Sequence, residues 1–453
     1  METLTRRTVL KLGGAAIIAG TLPPWLLEAC TSGGGTSSGA STLQVSNDKV
    51  TWKPWFEQVG AASKSAGGPS WKPNEFADTS TYQAAIRTSG GSSKVPDLFT
   101  WWSGWLMKEI VDAGYAADVS SLWDKESSAY DKGLRDLFTF NGKTFGAPLY
   151  FGPWVTLYNK QVFDKYHLQP PKNWNDMQNV MQTLKSKGVT PLGATIDGRW
   201  PAFIYFETFL VATNPDLYST LMAGKAKYTD PGVVEAMNLW GQLIKAGYFT
   251  DPSSVTFGTG SSTFLTEFSQ GRAAMLQIGT WYEPTITGAG MKPGVDFGGF
   301  IFPNAKSGIQ NNIIIESGPL VVAANGPHKS DAVKSLGWFM SKAGQEAWIK
   351  ATAFTSARSD VPSPSPIDQQ LLADMKTGGY KQINRYWEAT PHDIVETAID
   401  EFAKFMLHPG DPMPILQNIQ KKADSVWATI VIHGVRCQTT EGQCGKGDRP
   451  GRN

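Results

Sequence analysis

Short apolar runs of strand character alternate with segments of helical period along this chain, with no internal repeat, and that alternation restricts it to an α/β architecture. Residues 43–45 and 95–100 read as short buried strands, the second through Pro96-Asp97-Leu98-Phe99; residues 273–278, 313–315 and 320–323 are further ones. Asn173 is placed to N-cap a helix that carries Met177, Val180, Met181 and Leu184 on one face and stops at Gly188. Asp230-Pro231 opens another, with Val233, Met237, Trp240 and Ile244 in register and Gly247 at its end. Ser330 is expected to cap a third through Lys350, striped by Val333, Leu336 and Met340. Such alternation predicts largely parallel sheets. At 453 residues the chain exceeds one ordinary core, so two α/β lobes with crossovers between them are expected. Ligands bind beyond the carboxyl ends of strands in such sheets, which directs attention to the loops.

The first forty residues carry an address. Thr5-Arg6-Arg7-Thr8-Val9-Leu10-Lys11 is a twin-arginine export pattern with Val where Phe is commoner. The apolar run at 12–22 ends at Pro23-Pro24, far short of the ~20 residues that span a bilayer, so it reads as a signal-peptide core. Leu27-Glu28-Ala29-Cys30 resembles the lipobox at which bacterial lipoproteins are cleaved and diacylated, although Glu28 stands where a small residue is usual. Residues 1–29 are therefore taken as a twin-arginine/lipoprotein signal peptide, Cys30 as the lipidation site, and 30–42 as a flexible Gly/Ser/Thr tether. The expected location is extracytoplasmic, anchored to the outer face of the bacterial cytoplasmic membrane; with Cys30 incidental, the protein would be exported and soluble. Cys437 and Cys444, in a polar tail over 433–453, are able to close a disulfide loop in an oxidising compartment.

Charge and motif content remove several function classes. Lys+Arg number 41 against 40 Asp+Glu, and no basic run is present, which argues against a nucleic-acid partner. No cysteine lies in the body, so a Cys nucleophile or thiolate metal site has no basis. The five histidines (His167, His328, His392, His408, His433) show no HExxH spacing. There is no Walker A loop and no GxGxxG after a strand. The single GxSxG match, Gly35-Thr36-Ser37-Ser38-Gly39, lies in the tether without the strand and helix that a nucleophile elbow needs. Gly33–Gly35 and 258–262 read as linker and loop. No metal, cofactor or catalytic residue is expected. A glycosidase would need two carboxylates, and Asp197 and Glu316 are the pair to test.

Aromatic residues are abundant, with 17 Trp, 22 Phe and 13 Tyr, and many cluster with polar groups at loop positions. The clusters are Asn47-Asp48-Lys49 with Trp52, Trp101-Trp102-Ser103-Gly104-Trp105, Tyr150-Phe151-Gly152-Pro153-Trp154, Asp197-Gly198-Arg199-Trp200-Pro201, and Gly279-Thr280-Trp281-Tyr282-Glu283. A sugar ring has apolar C–H faces and an equatorial belt of hydroxyls. Its complement is a Trp or Tyr platform with carboxylate, amide and guanidinium groups around it. Each cluster taken singly reads equally well as core or as a helix start.

Phe140-Asn141-Gly142-Lys143-Thr144-Phe145-Gly146-Ala147-Pro148, running on to Leu157-Tyr158-Asn159-Lys160, resembles the crossover segment of family 1 extracellular solute-binding proteins, the maltose-binding-protein-like group. Pro170-Pro171-Lys172-Asn173-Trp174-Asn175-Asp176-Met177 and Gly271-Arg272-Ala273-Ala274-Met275 with Gly279-Thr280-Trp281 are similar to it too, in order over residues 43–430. The resemblance implies a type II periplasmic-binding-protein fold, two lobes joined by hinge crossovers around a central cleft. It implies no enzyme but a monomeric binding component of an ATP-binding-cassette sugar importer, with a mono- or oligosaccharide ligand, permease subunits as partners, and a lipid anchor in the membrane. The first lobe is expected over 43–149 and 314–360, the second over 150–313 and 361–432. Carried over onto this chain, the ligand residues are Asp48, Lys49, Trp101 or Trp102, Asp197, Trp200 and Trp281, with Glu316 and Arg358 from later loops. Gly152 stands where some members place an acidic ligand residue, which turns away from malto-oligosaccharides and gives Trp154 a part in shaping the pocket. The alternatives are an exported carbohydrate-active hydrolase or lyase, and a binding protein for a phosphodiester, polyamine or polyol.

Overall fold

The computed structural model describes residues 41–257 and 262–436. The expected signal peptide, Cys30, most of the expected tether, residues 258–261, Cys437 and Cys444 lie outside the described residues. In chain order the strands are β1 (Thr42–Asn47), β2 (Ser70–Glu75), β3 (Leu98–Thr100), β4 (Thr139–Phe140), β5 (Lys143–Thr144), β6 (Ala147–Pro148) and β7 (Gly152–Asn159). They continue with β8 (Thr190–Leu192), β9 (Ala273–Gly279), β10 (Phe297–Phe300), β11 (Asn312–Glu316), β12 (Pro319–Val322) and β13 (Lys381–Asn384).

Two sheets result. The first has the order β2-β1-β3-β12-β6; the second has the order β13-β11-β7-β9-β8, with β10 also paired to β7. Both are mixed rather than largely parallel. β1–β2, β1–β3, β8–β9 and β11–β13 are parallel, while β7 and β12, the strands that follow a crossing between sheets, run antiparallel to every strand they touch. All residues of β7 and β9 are buried, as central strands covered on both faces must be.

The chain passes between the sheets from β6 to β7, from β11 to β12, and between the helices Lys342–Thr352 and Pro366–Thr377. The three crossings lie side by side. Leu149 N–H donates to Gly318 O at 2.9 Å, and Phe151 N–H to Thr355 O at 3.1 Å. Ile314, Ile315 and Glu316 thus belong to the second sheet and not to the first lobe, because Ile315 and Glu316 pair with Pro153 and Gly152.

Local sequence explains most elements. Asn173 Oδ1 accepts the Asp176 N–H at 3.0 Å and starts helix Trp174–Ser186, which buries Met177, Val180, Met181 and Leu184. Asn159, in the Tyr-Asn-Lys motif, caps helix Lys160–Lys165 through Val162 N–H and donates its amide to Phe268 O at 2.6 Å. Helix Pro231–Lys245 leaves Ile244 only half-buried and buries Leu243 instead. The strand expected from residue 95 begins at Leu98, after Pro96, which has no N–H to donate. The helix expected from Ser330 to Lys350 is two helices, Lys329–Met340 and Lys342–Thr352. Ser341 breaks it with an extended ψ of 165° and caps the second through Gly344 N–H. A Cβ on Gly344 would lie 2.3 Å from Trp338 O, so the two helices can pack this closely only at glycine.

Asn173→Ala should cost about 1 kcal/mol by loss of the cap. Urea unfolding would register this as a lower midpoint with an unchanged slope.

Candidate ligand-binding site

Glu316, the last residue of β11, is buried at the crossing into β12 and accepts hydrogen bonds from three residues. Tyr150 Oη donates to its Oε1 at 2.7 Å, Trp154 Nε1 to its Oε2 at 2.9 Å, and Arg385 also donates to Oε2. Arg385 turns its other edge to Glu388, with Nε to Oε2 at 2.7 Å and a second bond to Oε1. Its guanidinium lies over the rings of Trp154 (5.3 Å) and Phe203 (5.7 Å). Burial works against the Arg385 charge, but the carboxylates of Glu316 and Glu388 more than offset it and raise its pKa. Burial pushes the Tyr150 phenol well up, helped by the Glu316 charge, so Tyr150 is a donor throughout the ordinary pH range.

Aromatic rings extend from this point into both lobes. In the second lobe Trp154, Trp200 and Trp281 are mutual neighbours at 6.1–6.5 Å, with Phe203 against Trp154 and Trp200. In the other direction Tyr150 packs on Phe354 at 5.4 Å and Phe354 on Trp52 at 5.7 Å. The Lys49 ammonium then sits over Trp52 (5.2 Å) and Trp102 (5.6 Å). An unbroken run of contacts thus joins Lys49 of the first lobe to Trp200 of the second. Tyr150, Glu316 and Phe354, its middle members, come one from each of the three crossings.

Several residues singled out from sequence fall on this run: Lys49, Trp102, Trp154, Trp200, Trp281 and Glu316. Asp48 joins it through Lys49 at 2.7 Å and is itself held by Thr79 Oγ1 at 2.8 Å. Trp281 is half-buried and its Nε1 is buried without a partner. Asp197 lies in the turn before Trp200 with its side chain exposed, and only its backbone N–H is bonded, to Thr195. Two expectations are corrected. Trp101 is 3% exposed and donates its indole N–H to Leu106 O, so it belongs to the first lobe's core beneath Trp102. Arg358 is spent on Glu126, Asp360 and Met340 O and joins none of these rings. Glycine at 152 also has a local cause: a Cβ there would lie 3.0 Å from Glu316 Cγ and 3.1 Å from the Tyr150 ring.

Arg385 and Glu388 were missed, as was Phe354. The signal was present in Arg385-Tyr386-Trp387-Glu388, which follows β13 with the same mixture of rings and charge as the other clusters. Two surface hollows lie elsewhere. One of about 650 Å³ is lined by Trp174, Asn238 and Gln242 among others, and one of about 330 Å³ by Arg199, Glu396 and Asp400 among others.

A second buried acidic group begins two residues after Trp281. Glu283 and Asp368 are 4% and 2% exposed; Ser365 Oγ donates to Glu283 at 2.6 Å, and Thr280 bonds Thr355 of the third crossing at 2.7 Å. Burial, with the neighbouring Asp368 charge, pushes Glu283 up to about 9, and burial pushes Asp368 up to about 6.

Two mixed sheets that exchange strands at three crossings, with a site built over those crossings, define a two-lobed binding protein of the periplasmic type. The family described as bacterial extracellular solute-binding protein matches residues 51–346, and the chain belongs to it. An ABC transporter extracellular-binding protein of Pyrococcus horikoshii is 25% identical over 299 residues, 64% of this chain and 65% of its own. A second from the same organism is 29% identical over 260 residues, 56% of each. The chain therefore spans 56–65% of the length of these curated relatives. The solved structure of the bacterial solute receptor AcbH, described as exclusive for β-D-galactopyranose, has a TM-score of 0.73 at 20% identity over 86% of this chain and 100% of its own. The sugar-binding protein MalE of the phytopathogen Xanthomonas citri has a TM-score of 0.71 at 16% identity over 89% and 100%. At such identities the likeness is one of fold. Among the described residues no helix is long and apolar enough to cross a membrane.

The Glu283–Asp368 pair sets a pH dependence. Both folded-state pKa values exceed the ordinary ones, so the folded protein holds protons that the unfolded chain releases. Their contribution is complete below about pH 4 and is lost as pH rises through about 6 and then about 9. Melting temperature should therefore fall between about pH 5 and pH 9, and fall less steeply in Glu283→Gln. Parallel slopes in the two proteins would remove the pair from the account.

Proposed function

We propose that this chain is the extracytoplasmic solute-binding component of an ABC importer, and that it takes a mono- or oligosaccharide between its lobes and delivers it to the membrane permease. The observation that carries this is the run of rings and polar groups from Lys49 to Trp200 through all three crossings. A ligand that touches both ends of such a run favours the closed arrangement of the lobes over the open one, and only that difference moves the population. No bond is broken in the cycle.

The indole faces of Trp102, Trp200 and Trp281 suit the C–H faces of a pyranose. Charge supports a neutral solute over an anion. Arg199, Arg358 and Arg385 are each matched by two carboxylates: Glu396 and Asp400, Glu126 and Asp360, Glu316 and Glu388. The solved relatives described as galactopyranose- and sugar-binding agree with that chemistry. Asp48, Lys49, Trp102, Trp200 and Trp281 are the proposed ligand residues, Asp197 a rim residue, and Trp154 and Glu316 the floor. Export by the twin-arginine route, cleavage before Cys30 and a diacyl anchor there complete the proposal; two acyl chains suffice for stable tethering of a monomer.

A thermal-shift screen against mono-, di- and oligosaccharides tests this. The cognate sugar should stabilise the protein by about 2.7 kcal/mol at a hundred times its Kd, and Trp281→Ala should lose most of that rise in melting temperature. New reducing ends released at catalytic rates from any of these sugars would replace the binding protein by a hydrolase.

A further inference from the structure

The two lobes also touch at a place that the proposed ligand run does not include. Gly104, which follows Trp101-Trp102-Ser103, opens helix Gly104–Asp112, whose Leu106, Met107 and Ile110 lie in the first lobe's core. Its φ is +65°, and a Cβ built on it would stand 1.9 Å from the carbonyl oxygen of Glu388 in the second lobe. Backbone therefore meets backbone across the gap, and only glycine permits it. One residue on, Trp105 meets Trp427 edge-on at 5.2 Å. Trp427 belongs to helix Met413–Arg436, which packs on helix His392–Leu407 of the second lobe.

Glu388 is not a passive partner at this lip. Its carboxylate takes two donors of Arg385, whose remaining bond goes to Glu316, which in turn fixes Tyr150 and Trp154. The backbone of the same segment is tied down as well, Arg385 N–H to Ile315 O of the floor strand at 3.1 Å and Tyr386 N–H to Glu207 Oε2 of the buried helix Ile204–Thr213 at 2.8 Å. We propose that Arg385 is a positioning residue that transmits contact of the lobes at Gly104–Glu388 to the ring orientation of Tyr150 and Trp154 on the cleft floor. Its planar fork is what makes this possible, since it grips one carboxylate with two donors and another with a third, which a lysine cannot do in one geometry. The lip then determines affinity without touching ligand: a closed lip holds Glu388, Arg385 and Glu316 in line, and an open one releases them. This rests on the ligand-binding proposal only for its consequence for affinity; the coupling itself is a property of the ligand-free chain.

Hydrogen–deuterium exchange on the full ligand-free protein tests it without knowledge of the sugar. Gly104→Ala presses a methyl on the Glu388 carbonyl, and Trp427→Ala loosens the lip while leaving the Gly104 turn unstrained. Each should raise exchange at residues 386–390 and also, about tenfold, at 150–156 and 313–317, as coupled neighbours do. In an Arg385→Met background the same lip changes should still raise exchange at 386–390 but leave the floor segments where Arg385→Met alone puts them, and Arg385→Lys should restore only part of the coupling. A floor unmoved by both lip variants in the presence of Arg385, or moved equally in its absence, overturns the assignment whatever the protein binds.

Discussion

One buried carboxylate organises the site. Glu316 is taken out of water at the end of β11, and the cost of burying that charge is met by a phenol and an indole from the segment 150–154 and by a guanidinium from residue 385. Those donors are thereby fixed in position. Tyr150 is held between the carboxylate and Phe354, Trp154 between the carboxylate and the Arg385 plane, and Trp281 and Trp200 then pack outward from Trp154. A smaller acceptor would leave one of these donors orphaned, and an apolar residue would leave all three, in a place where water cannot easily substitute.

The location of that carboxylate is as consequential as its bonds. Glu316 and Tyr150 stand at adjacent crossings, Phe354 at the third, and the crossings are hydrogen-bonded to one another. Any rotation of one lobe against the other must bend the chain here, so the residues that hold the aromatic wall in register are those that feel the movement first. Glu283 and Asp368 add a second buried acidic pair, in which Ser365 of the third crossing donates to Glu283, two residues after Trp281 in the chain. The wall proposed to meet a sugar is thus fixed at Trp154 by a hydrogen-bonded carboxylate and not by soft apolar packing alone.

Arg199 gives the surface of the second lobe a corresponding character. Arg199, at φ +64° in the turn before Trp200, is pinned to Glu396 and Asp400 of helix His392–Leu407. This fixes the loop that carries Trp200 to the body of the lobe. Exposed pairs of this kind contribute little to stability, but a bidentate arginine fixes direction, which is what a stacking ring needs.

The sequence by itself determined the α/β alternation, the cap at Asn173, the strands around Ile313–Ile315 and Leu320, and the places of Lys49, Trp200 and Trp281 between strands and helices. These follow from local chemistry: side-chain periodicity, capping hydrogen bonds and the turn preferences of glycine and proline act within a few residues. Trp154 and Glu316, expected in loops, lie inside β7 and at the end of β11. Only the tertiary structure decided that Trp101 turns into the core while Trp102 stays half-exposed, that Arg358 is consumed by Glu126 and Asp360, and that Arg385 joins Glu316 to Glu388. It also decided that β7 and β12 run antiparallel to their neighbours. The physical reason is common to all of these: which side a ring faces and which carboxylate a guanidinium reaches depend on partners as much as 69 or 232 residues away, whose positions exist only once both lobes have folded around the crossings.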